Sequence, residues 1–104
     1  MLLAPGQVKK LIAYAIEKKF ALFAVNADSP AAIHDCLKAA KGAKAPIFIE
    51  TSMWQLEGIS FGAGDPIRGI AQYIAHISLL ANSDEFKEVP VVYHTDHIKG
   101  PQTE

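Results

Sequence analysis

Two imidazoles and a carboxylate fall within four consecutive residues near the end of this chain, His94-Thr95-Asp96-His97. They follow a short apolar run, Val89-Pro90-Val91-Val92-Tyr93, whose β-branched and aromatic residues predict a buried strand. The C-terminal ends of strands are where α/β proteins build metal and acid/base sites. Histidine ligates zinc and similar ions, and an aspartate beside it can hold or release a proton. Catalytic zinc takes three protein ligands and leaves a position for water or substrate, so His94 and His97 alone fall short of a site. Side chains also alternate along a strand. His94 and Asp96 therefore share a face only while the strand stays regular, and His97 is expected where it turns into a loop. The residues alone leave two readings open. One is a metal ligand and an acid/base carboxylate joined by ligands from elsewhere; the other is a pair of hydrogen-bonded structural histidines.

Other chemically capable side chains are weaker candidates. His34 and His76 lie in predicted helices and read as surface or packing residues. Cys36 lies in a helical apolar register and reads as a buried structural thiol. Glu50 ends a predicted strand, where a structural hydrogen bond is the simpler expectation. Gly62-Ala63-Gly64 is too short for a phosphate-binding loop and reads as a flexible connection. Trp54 suits either a shield over a site or a subunit contact.

The elements that must position the tetrad are legible as an alternating series. Val8, Leu11, Ile12, Ala15 and Ile16 follow the spacing of one helix face, with lysines outside it. Phe20 to Val25 is continuously apolar and ends at Asn26, which predicts a strand buried on both faces. Ser29-Pro30 supplies an N-cap and a first-turn proline for a helix carrying Ile33, Cys36, Leu37 and Ala40, with Gly42 as its expected stop. Pro46 to Thr51 predicts the second strand, followed by a glycine-bearing loop. Asp65-Pro66 repeats the cap-and-proline signal before a helix whose expected buried face is Ile67, Ile70, Ile74, Ile77 and Leu80. Asn82 to Glu88 is a polar connection into the third strand.

Helix, then strand–helix, strand–helix, strand implies α/β architecture with parallel strands and crossover helices. Three strands neither close a barrel nor make a comfortable doubly wound sheet, and a (β/α)8 barrel takes about 250 residues. The expectation is one partial domain over residues 1–104, the first three strands of a larger (β/α)8 TIM barrel with an N-terminal helix. On this reading the outer edge of the third strand is open to association.

Composition narrows the function classes. The net charge of −1 offers no electrostatic footprint for nucleic acid or an anionic membrane. No apolar run approaches the ~18 residues of a membrane span. A single cysteine excludes an internal disulfide and fits a reducing cytoplasm.

Three stretches also resemble a known family: Phe20-Ala-Leu-Phe-Ala-Val-Asn26, Ala43-Lys-Ala-Pro-Ile-Phe-Ile-Glu-Thr-Ser52 and Val89-Pro-Val-Val-Tyr-His-Thr-Asp-His97. In that order and spacing they are similar to the N-terminal portion of the class II, metal-dependent ketose-bisphosphate aldolases, which include fructose- and tagatose-1,6-bisphosphate enzymes. The resemblance implies that His97 is a ligand of a catalytic zinc and Asp96 the neighbouring acid/base. It implies that Ser52 contacts a substrate phosphate and that Asn26 lies near the active site at the end of the first strand. The implied reaction is reversible cleavage of a phosphorylated ketose to dihydroxyacetone phosphate and glyceraldehyde 3-phosphate, with Zn2+ or another divalent metal polarising the ketone. A cytoplasmic homo-oligomer is implied for the complete protein, and this chain is expected to be inactive alone. Two loops depart from the family pattern, Ile98-Lys99-Gly100-Pro101 and Met53-Trp54-Gln55, the latter replacing small glycine-rich residues. They leave the ketose open, and with it the alternative of a non-catalytic, aldolase-like accessory subunit. A metal-dependent hydrolase on a similar barrel ranks last.

Overall fold

A computed structural model describes residues 1–58 and 61–97. Its elements run α1 (Pro5–Lys18), β1 (Ala24–Asn26), α2 (Pro30–Ala43), β2 (Ile47–Thr51), α3 (Met53–Glu57), α4 (Pro66–Ala81) and β3 (Val91–Thr95). The strands form one parallel sheet in the order β1-β2-β3. Parallel neighbours need a crossover, which α2 supplies between β1 and β2 and α4 between β2 and β3. This is the expected α/β pattern.

Local chemistry sets the helix starts. The Ser29 hydroxyl accepts from Ala32 N at 3.2 Å, and Asp65 Oδ1 accepts from Ile67 N at 2.9 Å and Arg68 N at 3.3 Å. A proline follows each cap, where its missing N–H costs nothing. Gly42 does not stop α2. The helix runs to Ala43 and closes on Lys44 in the left-handed region (φ 52°). There the Ala45 N–H reaches back to Ala40 O at 3.1 Å and satisfies an end carbonyl.

The core lies between the sheet and the α2–α4 layer. Ile47 and Ile49 of β2, Val91 of β3, Ile33 and Leu37 of α2, and Tyr73 and Ile77 of α4 are buried together. The buried face of α4 is Gly69, Tyr73, Ile77 and Ala81, rotated from the expected stripe; Ile67 and Ile74 are exposed. This helix is apolar around much of its circumference, so periodicity alone does not choose the face. Gly69 chooses it, because a Cβ there would stand 1.7 Å from the Leu56 carbonyl oxygen. Only glycine lets α3 and α4 approach so closely.

Four further expectations are corrected. The first strand is Ala24–Asn26 only, and Phe23 before it is 74% exposed. Within the run only Leu22 and Val25 are even half-buried, so Phe20–Val25 is not covered on both faces. The segment after β2 is not simply a loop but contains the short helix α3. The Asn82–Glu88 connection buries Phe86, against which the His34 ring stacks edge-on at 5.5 Å. Of the predicted α1 face only Ala15 is buried, and Ile16 lies in solvent.

Residues Met1–Leu3 cover the start of the outer edge of β3. Leu2 bridges Val91 in parallel, with Leu3 N donating to Val91 O at 2.8 Å and Val91 N to Met1 O at 2.9 Å. The rest of that edge has no strand beside it among the described residues. No helix of the described residues is long and apolar enough to cross a membrane.

Candidate functional site

All three strands point the same way, so their C-terminal ends form one edge of the sheet. The register aligns Asn26 with Glu50 and Glu50 with His94, one row across the three strands. Partners in a parallel row project to the same face. In this row it is the face opposite the α2–α4 layer, because the neighbouring β2 residues Ile49 and Thr51 are the ones buried against the helices.

Within the row, His94 Nδ1 lies 2.8 Å from Glu50 Oε2. The Glu50 side chain is 13% exposed and that of His94 50%, so the imidazole covers the carboxylate. Glu50 thus makes the expected structural contact, and its partner is one of the two tetrad histidines. An edge-on approach of Phe48 to the His94 ring, at 6.3 Å, further fixes that ring.

One step along, the strand register extends past β3. Thr51 pairs with Thr95, and Asp96 N donates to Thr51 O at 2.8 Å. Asp96 therefore stays in strand register, on the face of His94 and across from Ser52. At His97 the backbone turns into the left-handed region (φ 54°), and its ring is carried outward to 84% exposure. His97 Nε2 remains 3.7 Å from Asp96 Oδ1. The tetrad therefore divides: His94 is engaged with Glu50, while Asp96 and His97 stand at the rim. Among the described residues, no three His, Cys, Asp or Glu side chains gather to hold a metal ion. The loop Ile98-Lys99-Gly100-Pro101 lies outside the described residues.

At the end of β2, Ser52 is the N-cap residue of α3 and is held by the side chain of Gln55. Gln55 Oε1 accepts from Ser52 N at 2.7 Å, from Ser52 Oγ at 3.0 Å and from Thr51 Oγ1 at 3.1 Å. Gln55 Nε2 donates to Asp28, on the loop after β1. Behind this rim, the fully buried Tyr73 hydroxyl donates in a shared bond to Glu50 O at 2.9 Å and Ala27 O at 3.2 Å. Burial, reinforced by neighbouring Tyr93, drives the Tyr73 phenol well above its ordinary value; burial pushes Tyr93 up to about 12. Gln55 and Tyr73 were not among the residues singled out by type. The Ser-x-x-Gln spacing of Ser52–Gln55 is a readable capping signal, whereas the reach of Tyr73 to two strand ends is tertiary.

The remaining candidates stand apart. Cys36 is half-buried against the core, and burial together with Asp35 raises its thiol, the opposite of an activated nucleophile. His76 is partly buried on α4 with its Nε2 unpartnered, a packing position. Gly62-Ala63-Gly64 forms a tight turn with Ala63 and Gly64 at positive φ, not a phosphate cradle. Trp54 is 88% exposed beside Ser52. Two clefts flank the sheet. One, of about 610 Å³, runs from Leu2 and Val8 past Phe48 and Val92 to His94, reaching the candidate site. The other, of about 510 Å³, lies between Lys41, Lys44, Pro46 and Glu88 at the opposite end of the strands, away from this chemistry.

Comparison with known proteins bears directly on this geometry. The family model of class-II fructose-bisphosphate aldolase matches residues 6–103. The chain is 37% identical over 98 residues to the fructose-bisphosphate aldolase of Neurospora crassa, covering 86% of this chain and 26% of that protein. It is 38% identical over 96 residues to the enzyme of the same name from Candida albicans, again covering 86% and 26%. Its fold is similar to the crystal structure of fructose-bisphosphate aldolase from Campylobacter jejuni, with a TM-score of 0.77 and 27% identity, over 93% of this chain and 28% of that one. The chain thus spans about a quarter of the length of the relatives it matches.

Proposed function

The chain belongs to the class-II fructose-bisphosphate aldolase family, and we propose that it supplies the first three strands of a metal-dependent aldolase acting on a ketose 1,6-bisphosphate. One observation carries this reading: Asn26, Ser52 and the Asp96-His97 pair lie at the C-terminal ends of three adjacent parallel strands. In barrels of this kind that rim is where catalytic groups converge.

His97 would provide one metal ligand. Its exposed imidazole has the right donor chemistry for zinc, and the other ligands would come from strands beyond β3. When bound, the metal polarises the ketone carbonyl and stabilises charge that develops as the carbon–carbon bond breaks. Asp96, held in register by its bond to Thr51, takes the proton from the hydroxyl that becomes the aldehyde. In condensation it returns that proton. Ser52 binds a substrate phosphate, and Asn26 orients the substrate one row deeper in the rim. The Glu50–His94 pair closes the floor between them.

Activity belongs to the completed barrel, in which further strands take the outer edges of β1 and β3, and the 104-residue chain alone is inactive. The test is release of dihydroxyacetone phosphate from fructose and tagatose 1,6-bisphosphates, with and without a chelator. It compares the chain alone with a barrel completed by the remaining strand–helix units. The expected result is cleavage by the completed barrel only, abolished by chelation and restored by zinc. Cleavage indifferent to chelation overturns the proposal. A completed barrel that assembles without metal or cleavage is the accessory subunit instead.

A further inference from the structure

Gln55 stands where the family resemblance anticipates a small residue, and its side chain adds a link between the residues just beyond the ends of β1 and β2. Its amide oxygen collects both polar hydrogens of Ser52, on N and Oγ, together with the Thr51 hydroxyl. Its amide nitrogen holds Asp28, two residues beyond the last residue of β1. Thr51 is fully buried, so this network is anchored in the core and not merely on the surface. A capping residue on an isolated short helix needs only the Ser52 bonds; the bonds to Thr51 and Asp28 are additional.

We propose that Gln55 is a positioning residue for Ser52, tying the Ser52 hydroxyl to the β1 loop through Asp28. This rests on the aldolase function proposed above, in which Ser52 contacts the substrate phosphate. A serine side chain freed of its partner samples three staggered rotamers. Only bonds that persist in the complex add to affinity; those of Gln55 to Ser52 N, Thr51 and Asp28 do, and where they restrict Ser52 to the one rotamer that suits the phosphate, the competent fraction and the apparent affinity rise about threefold. The hydroxyl proton can swing from Gln55 to an arriving phosphate oxygen by rotation about the C–O bond. Gln55 meanwhile keeps the Ser52 N–H and the Thr51 hydroxyl, so the backbone at Ser52 stays in place.

The test uses the completed enzyme with fructose 1,6-bisphosphate. Gln55→Met preserves side-chain length but removes every bond, and should raise KM about threefold with kcat within about twofold. Asp28 is exposed, so Asp28→Ala offers a milder variant that leaves the core untouched. It should raise KM about twofold, and Asp28→Asn, which still accepts from Gln55, should restore it. Both of these variants remove the same charge, so their difference reports the hydrogen bond. In a Ser52→Ala background, Gln55→Met should leave KM unchanged, because its effect passes through the missing hydroxyl. A purely structural role would lower Tm in both backgrounds without this KM pattern. An unchanged KM, an equal effect in the Ser52→Ala background, or Asp28→Asn behaving like Asp28→Ala overturns the proposal. So does a KM that falls, which would make Gln55 a competitor of the phosphate. A wild-type enzyme that cleaves no ketose bisphosphate refutes the function itself, and this inference with it.

Discussion

Replacing Tyr73 by Phe isolates what holds the ends of β1 and β2 together. The ring is fully buried and stacks edge-on against Phe61 at 4.6 Å, a contact that phenylalanine preserves, so no cavity forms. What disappears is one hydroxyl shared between Glu50 O at 2.9 Å and Ala27 O at 3.2 Å. Glu50 O keeps a second donor, Ala27 N at 3.3 Å, so the loss falls mainly on the Ala27 carbonyl. A buried neutral hydrogen bond contributes about 1 kcal/mol net, and an acceptor left unpaired adds to this, giving about 1–2 kcal/mol for Tyr73→Phe. For a domain of about 100 residues that lowers Tm by about 4–16 °C. Urea unfolding of both proteins, followed by far-UV circular dichroism, measures the difference directly. The midpoint should fall while the slope m stays constant. An unchanged midpoint refutes the clamp. A loss above about 4 kcal/mol, with altered near-UV signal, means instead that the ring itself has moved.

Other consequences follow from the same geometry. Gly69→Ala places a methyl against the Leu56 carbonyl and should cost about 3 kcal/mol or more. Gly42→Ala, in a helix with nothing within 4 Å of the new methyl, should instead add about 0.5–1 kcal/mol, both read by urea unfolding. Asp65→Ala removes the cap of α4 and should cost about 1 kcal/mol by the same measurement. At high pH the folded chain holds phenolic protons that the unfolded chain has released. The stability from Tyr93 is therefore complete below pH 10 and lost as pH rises through about 12, with Tyr73 acting in the same direction. Urea midpoints that stay flat from pH 9 to 12, or a decline that Tyr93→Phe leaves unaltered, contradict that assignment.

Much of the fold was readable because its signals are local. Ser29-Pro30 and Asp65-Pro66 mark helix starts through bonds spanning no more than three residues. The β2 run Ile47–Thr51 alternates in burial as a strand covered on one face should. The misreadings occur where the answer depends on distant neighbours. Apolar character in Phe20–Val25 does not by itself make a doubly covered strand, since Phe23 lies in solvent and Ala24 and Asn26 are exposed. The face of α4 is set by the approach of Leu56 to Gly69, which periodicity does not encode. Nor does it encode the Leu2–Val91 bridge, which joins opposite ends of the chain. At the site, residue types identified His94, Asp96 and His97, but register separated them. His94 is aligned with Glu50 and engaged by it, whereas the left-handed turn at His97 releases that imidazole to the rim. Gln55 was hidden in a loop that departs from the family, and its position on both strand ends became visible only in three dimensions.

The most direct test of the account is zinc content per chain, measured alongside turnover of fructose 1,6-bisphosphate, in the completed barrel carrying His97→Ala or Asp96→Ala. The predicted result is loss of the metal in the first variant. In the second, the metal is retained while turnover falls by orders of magnitude. Variants that both keep their zinc and near-normal cleavage would contradict the assignment of ligand and acid/base to these two residues.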